Sequence, residues 1–227
     1  MKSIIKFFLI VGIFFFAKPI ELLPQQFNQL ADAVIEKDTA KINQLLQSGI
    51  DINIQHPTSG TTVLMIASSY YYYDDMVKFL IRNGAKLNMQ DSEGKTALIW
   101  AASNSLPNAK ILVANGADVN IAANDGMTPF LQATLGVSSG KVTLEMCDLL
   151  RKKGADINAA LTKPSAVGWT ALHYAAINGD VELVKYLIKY GADINKATGE
   201  GSTPLYLAQL AKHEEIVKLL KSAGAKN

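Results

Sequence analysis

Apolar residues recur along this chain at helical spacing in short paired runs, and each pair closes on a similar polar phrase. In the stretch from Gly168 to Asn195, Leu172, Ala175 and Ala176 lie along one face of a short first helix, and Val184, Leu187 and Ile188 do the same on a second. Thr170 is placed to cap the first helix with its hydroxyl. Gly179-Asp180 breaks that helix and starts the next, and Gly191 ends the second as a residue able to take positive φ. Acidic residues gather where the second helix begins, Asp180 and Glu182 here and Glu214 and Glu215 later, where the helix dipole favours negative charge. In Thr203-Pro204-Leu205-Tyr206 the proline takes the first helical position, which tolerates it.

The closing phrase is the repeat marker. It reads Gly49-Ile50-Asp51-Ile52-Asn53, Gly84-Ala85-Lys86-Leu87-Asn88 and Gly116-Ala117-Asp118-Val119-Asn120, returns at Gly154 to Asn158 and Gly191 to Asn195, and ends as Gly224-Ala225-Lys226-Asn227. Its glycines stand between 32 and 38 residues apart. A period of that size signals stacked supersecondary units rather than one closed core. The first unit, Asn28 to Asn53, lacks the Thr-x-Leu-His phrase but keeps Leu30, Ala33, Ile42, Leu45 and Leu46, as a terminal repeat with one face toward water can.

Thr170-Ala171-Leu172-His173, Gly179-Asp180 and Gly191 to Asn195, recurring in register from Phe27 to Asn227, resemble the ankyrin repeat. The resemblance implies an all-α solenoid of about six helix-turn-helix units with projecting β-turn fingers, and a concave face lined by the first helices. The units fall at about 27–57, 58–90, 91–122, 123–160, 161–197 and 198–227, after a linker over 18–26. It further implies an inter-repeat hydrogen bond for His173, an inter-helix turn position for His213, and a protein-binding function without catalysis.

The first residues change the picture. A basic start, Lys2 and Lys6, followed by an unbroken apolar run from Phe7 to Ala17, has the form of a secretory signal peptide over 1–17. The run is shorter than the roughly 18 residues a membrane span needs. Ala17 suits a cleavage site, whereas Phe15 does not, so cleavage and retention as an anchor both stay open. Without Lys2 and Lys6 the 22 basic residues fall level with the 20 acidic ones, leaving no electrostatic footprint for nucleic acid. The single cysteine, Cys147, permits no internal disulfide, and no Asn-x-Ser/Thr sequon occurs. An exported chain with these features fits a bacterial periplasm, and localisation is expected to be periplasmic or secreted.

Departures from the repeat carry the candidate partner contacts. Repeat two holds Tyr70, Tyr71, Tyr72 and Tyr73 and is one residue long there. Trp169 precedes Thr170 at a position that varies among such repeats and often faces the partner. Lys95, Asn104, Met127 and Asn178 complete the candidate set. A longer finger, Ala159 to Gly168 with Pro164 in it, and an enlarged inter-helix loop at Leu135 to Lys141 are also expected, since insertions map to loops. Trp100, between Ile99 and Ala101, reads as core.

Recognisable chemistry is sparse. His56, His173 and His213 form no metal pair at helical spacing, and Cys147 sits where a valine is usual, as a buried inert thiol. Gly136-Val137-Ser138-Ser139-Gly140-Lys141 approaches a phosphate loop, but has three residues between its glycines and Val142 where a hydroxyl is required. No catalytic, cofactor or metal residues are assigned. The expected function is an exported adaptor, a monomer, binding one or more proteins through its concave face and fingers; it resembles periplasmic bacterial ankyrin proteins, some of which support a neighbouring enzyme such as a catalase. The alternative is an immunity-type inhibitor of a toxin or hydrolase in the same compartment.

Overall fold

A computed structural model describes residues 22–226 of the chain. Among them the backbone forms twelve α-helices in six consecutive pairs: α1 (Leu22–Ile35) and α2 (Thr39–Gln47), α3 (Val63–Ser69) and α4 (Asp74–Arg82), α5 (Ala97–Ala102) and α6 (Leu106–Ala114). The remainder are α7 (Pro129–Ser138) and α8 (Leu144–Lys152), α9 (Ala171–Asn178) and α10 (Val181–Lys189), α11 (Pro204–Leu210) and α12 (Glu214–Ser222). No strand forms among the described residues; one antiparallel bridge joins Ala160 to Thr170. The expected signal over 1–17 lies outside the described residues. Helix α1 begins at Leu22, so residues 22–26, expected as linker, are helix.

Local chemistry explains the helix starts. Thr62, Thr96, Thr128 and Thr203 are extended, and their hydroxyls accept from the N–H of Met65, Ile99, Leu131 and Tyr206 at 3.2–3.4 Å. Asp38, Ser105 and Asp180 do the same for second helices, at 2.8, 3.3 and 3.0 Å. At the far ends the phrase glycines adopt φ between 88° and 99°, a region other residues avoid.

The first helices stack in chain order, α1 through α11, and small residues let them approach: Ala67, Ala101, Ala133, Ala175 and Ala208 are all wholly buried. Three positions earlier in each, Leu64, Leu98, Phe130, Leu172 and Leu205 fill the space toward the second helices, whose Leu80, Leu112, Leu150, Leu187 and Leu220 are equally buried. Each such side chain contributes about 1.5–3 kcal/mol. No pair covers its own stripe, so stability resides in the seams between units.

The phrase does more than end helices. The Asn158 side chain donates to Gly191 O at 3.3 Å and accepts from Asp193 N at 2.7 Å, locking one repeat to the next, while its own N–H is held by Asp156 at 2.8 Å. Asn53, Asn120 and Asn195 make the same two-way bridge to Gly84 and Lys86, Gly154 and Asp156, and Gly224 and Lys226.

The insertion at 135–141 is not a loop. Helix α7 runs through Ser138 and turns only at Ser139-Gly140, so most of the extra residues lengthen the helix. Gly136 is required by close approach: a Cβ there would meet Val142 Cγ2 at 2.8 Å and Ser103 Cα at 3.1 Å. The longer α7 reaches α10, where the Ser138 hydroxyl meets Asp180 Oδ2 at 3.2 Å. Helix α8 connects to α10 through the Tyr186 hydroxyl, donated to Asp148 Oδ1 at 3.1 Å, and through Arg151 lying 3.9 Å over the Tyr190 ring. The Arg151 guanidinium holds the Asp148 carboxyl below its ordinary range, and burial raises the Tyr186 phenol.

Candidate partner-binding surface

The exposed face of the first helices is set by register. Four residues after Thr62, Thr96, Thr128 and Thr170 stand Ile66, Trp100, Gln132 and Tyr174, all half-buried, whereas Leu207 at the same register of the last repeat is buried. Trp100 is therefore not core, as its apolar neighbours suggested; its ring edge is turned out and Nε1 donates to Asp91 Oδ2 at 3.2 Å. It forms the wall between two hollows. One, of about 140 Å³, is lined by Ile66, Ser69, Tyr70 and Trp100, and the other, of about 120 Å³, by Lys95, Trp100, Asn104 and Gln132.

One residue before the same threonines stand Lys95, Met127 and Trp169, and they differ. Lys95 Nζ lies 5.6 Å over the Trp100 ring and pairs with Glu93. Trp169 packs 5.0 Å from Tyr174 and 6.0 Å from His173. Met127 is only 8% exposed and offers a partner almost nothing. At the other end of the helices Asn178 is exposed and Asn104 half-buried, its amide held by Trp100 O at 3.2 Å.

The tyrosine run divides. Tyr70, Tyr71 and Tyr72 are 44%, 53% and 77% exposed, a rising series that marks the last as the most available ring. Tyr73 turns inward: its hydroxyl donates to Ile35 O at 2.6 Å, its ring stacks on Tyr70 at 4.8 Å, and Lys37 Nζ covers its face at 4.3 Å. Burial, then Tyr70, raises its phenol. The backbone beneath is tethered from both neighbouring repeats. Lys37 Nζ donates to Tyr72 O at 2.6 Å and Asn108 Nδ2 to Tyr70 O at 2.7 Å. Asn108 also donates to the carbonyls of Ala67 and Ser68 at 3.3 and 3.2 Å, and is wholly buried. It stands at the register that Met76, Met146, Leu183 and Ile216 fill with apolar side chains. Apart from the exposed Lys41 of the first repeat it is the one polar residue at that register, and that was the signal for it.

The long finger is pinned rather than free. Leu161 is buried, its N–H donates to Trp169 O at 2.9 Å, and Thr162 N–H reaches Asp125 O in the preceding finger at 2.8 Å. A cleft of about 290 Å³ opens between this finger and the next, lined by Pro164, Val167, Trp169 and Glu200.

Titratable groups on this scaffold have structural partners. Thr170 N–H donates to His173 Nδ1 at 3.1 Å, which leaves the proton on Nε2, 3.2 Å from Ser202 O in the next repeat. Burial holds this imidazole below its ordinary pKa. His213 Nε2 meets Ile177 O at 3.1 Å, and His56 Nδ1 accepts from Thr58 and Ser59 at 3.3 and 3.2 Å. Burial, with Asp148 and Asp180 adding, pushes the Cys147 thiol up to about 12, so it is a thiol and not a nucleophile at neutral pH. Among the described residues no cluster of His, Cys, Asp and Glu could hold a metal ion, and no helix is long and apolar enough to cross a membrane.

Comparison with known proteins accounts for the period. A family model described as "Ankyrin repeats (3 copies)" matches residues 30–123, 72–161 and 121–227. The chain is similar to Rabankyrin-5 of Mus musculus, 30% identical over 86% of this chain and 17% of that protein. It is similar to SH3 and multiple ankyrin repeat domains protein 2 of Homo sapiens, 27% identical over 85% of this chain and 10% of that protein. A shorter match, 49% identical, covers 23% of this chain and 47% of Notch-regulated ankyrin repeat-containing protein A of Danio rerio. The chain thus spans less than half the length of each of these relatives.

Proposed function

We propose a function from one settled premise, that this chain belongs to the ankyrin-repeat family. Repeats of this family are in general protein–protein interaction modules, and the relatives share the module rather than a reaction. On this chain the binding surface is the exposed face of α3, α5, α7 and α9 with the fingers beside it, continued by the tyrosine turn. The observation that carries the reading is the run Ile66, Trp100, Gln132 and Tyr174, half-buried at one register and joined by two hollows to Tyr70, Lys95 and Asn104. Large rings with polar tips, held by neighbours before binding, lose little freedom on contact. The protein acts as an adaptor outside the cytoplasm, carried there by residues 1–17, and a bacterial periplasm is the compartment its composition suits best.

Affinity capture from extract, followed by mass spectrometry and binding of the purified partner, tests the surface. Gln132→Arg places a long charge mid-face and should weaken binding about tenfold or more, some 1.4 kcal/mol. Lys218→Glu, on an exposed position of α12, should leave binding intact. The opposite pattern removes the face from the function. For export, intact residues 1–17 on a protein recovered from the cytosol would overturn the compartment.

A further inference from the structure

We propose, resting on the protein-binding reading above, that the cleft beside Trp169 receives a basic side chain, Lys or Arg, from an extended segment of the partner. Three other rings of this chain, those of Tyr73, Trp100 and Tyr190, are met by the chain's own cations. Lys37 lies 4.3 Å over Tyr73, Lys95 lies 5.6 Å over Trp100, and Arg151 and Lys189 lie 3.9 and 5.0 Å over Tyr190. The repeat register makes one comparison direct. Where repeat three places Lys95 against Trp100, repeat five places Trp169 against Tyr174, 5.0 Å between ring centres. The cation has been replaced by a second ring. Among the described residues no Lys or Arg stands over either ring.

The charge that such a cation would meet is in place. Glu200 lines the cleft with Trp169, while outside the cleft the Tyr174 phenol is raised by burial and then by the Asp125 carboxylate. Neither acid belongs to an ion pair among the described residues. The lysine nearest Trp169 in sequence, Lys163, has its backbone tied to Asp125 O at 3.3 Å in the adjoining finger. Beside Ser165 and Gly199, the side chains of Pro164, Ala166 and Val167 give an apolar wall that suits the methylene stem of a long basic side chain whose head stays at the rim. A volume of about 290 Å³ holds one such side chain with the backbone on either side of it, not a folded domain. A ring face and a carboxylate together favour a cation by charge and by quadrupole.

A random heptapeptide library displayed on phage and panned on the full-length protein reads the chemistry without a known partner. Lys and Arg should be enriched over the unselected library. A synthetic peptide from the enriched set should bind about fivefold or more weaker to Trp169→Ala, the range that one cation–π contact supplies, and about twofold or more weaker to Glu200→Gln, the range of an exposed ion pair. Glu200→Gln alters an exposed residue and leaves the fold untouched, so its result stands even if Trp169→Ala proves unstable. Enrichment of acidic or uncharged peptides, no enrichment at all, or basic peptides that bind Glu200→Gln as tightly as the parent protein would each overturn the proposal. If the partner captured above still depends on Gln132 while its segment is acidic, the protein-binding reading stands and only this inference falls.

Discussion

The tyrosine turn of repeat two and the Trp169 finger of repeat five both depart from the regular unit, and they are held in opposite ways. At the tyrosine turn the backbone is fastened by polar side chains from outside, Lys37 from repeat one and Asn108 from repeat three, so Tyr71 and Tyr72 carry no structural duty. At the finger Trp169 itself is part of the packing, against His173 and Tyr174, and its own carbonyl holds Leu161. One site separates support from display; the other combines them. Substitutions should therefore uncouple stability from binding at the first and not at the second.

Asn108→Ala provides the largest expected effect. Three carbonyls lose the hydrogen bond its amide gives, two of them in buried residues at the end of α3, although Ala67 O keeps the Tyr70 N–H at 3.4 Å. Urea unfolding should show a loss of about 1–3 kcal/mol, and the tyrosine turn should exchange its amide hydrogens faster. Stability equal to the parent would mean the turn is not held by Asn108. Trp169→Ala should follow closely. A fully buried tryptophan costs about 3–5 kcal/mol on truncation, and this half-exposed ring should cost about half that. A change below about 0.5 kcal/mol would place Trp169 with the tyrosines as a display residue.

The sequence made the scaffold readable because its signals are local: threonine caps, glycines past helix ends, and apolar positions at helical spacing. What it concealed depends on contact between units. The phrase asparagines read only as part of the repeat marker, yet Asn120 and Asn158 act chiefly on residues in the next repeat, 33 to 36 positions away. Trp100 read as core because its neighbours are apolar, whereas the register shared with Gln132 and Tyr174 puts it on the exposed face. Residues 135–141 read as a loop because insertions in such repeats map to loops; instead α7 is extended through Ser138 and packs against Ser103 and α10. Asn108 was legible in principle, as the one polar residue at this register after the first repeat, where exposed Lys41 holds it.

Acid should distinguish the two sites further. His173 lies in the Trp169 neighbourhood and is wholly buried. Its folded-state pKa is lowered, by burial above all; Ser202 and Lys196 carbonyls and Asp193 oppose this, while the Lys196 charge adds to it. The unfolded chain then binds the proton more readily, so stability is full above the unfolded value, 6.5, and falls as pH drops below it toward the folded value. Thermal midpoints between pH 7.5 and 5 should decline for the parent and decline less for His173→Gln. Amide exchange should quicken near Thr170 before it does near Tyr71. Parallel decline in both proteins would assign the acid sensitivity to other groups.

The smallest stability effect belongs to the double change Tyr71→Ala and Tyr72→Ala, and its smallness is the point. These rings meet edge to face at 4.8 Å, and Tyr72 is 77% exposed. The tethers act on main-chain carbonyls, which alanine retains, so the turn keeps its course. Free energy of unfolding should change by less than about 0.5 kcal/mol, as for surface positions without special geometry. Partner capture should nevertheless fall, because two pre-positioned aromatic rings are gone from the surface. If capture stays at full strength while Trp169→Ala abolishes it, the partner engages the finger alone. A fall in stability as large as that of Asn108→Ala would show that the rings, and not the tethers, hold the turn, and the contrast between the two sites would disappear.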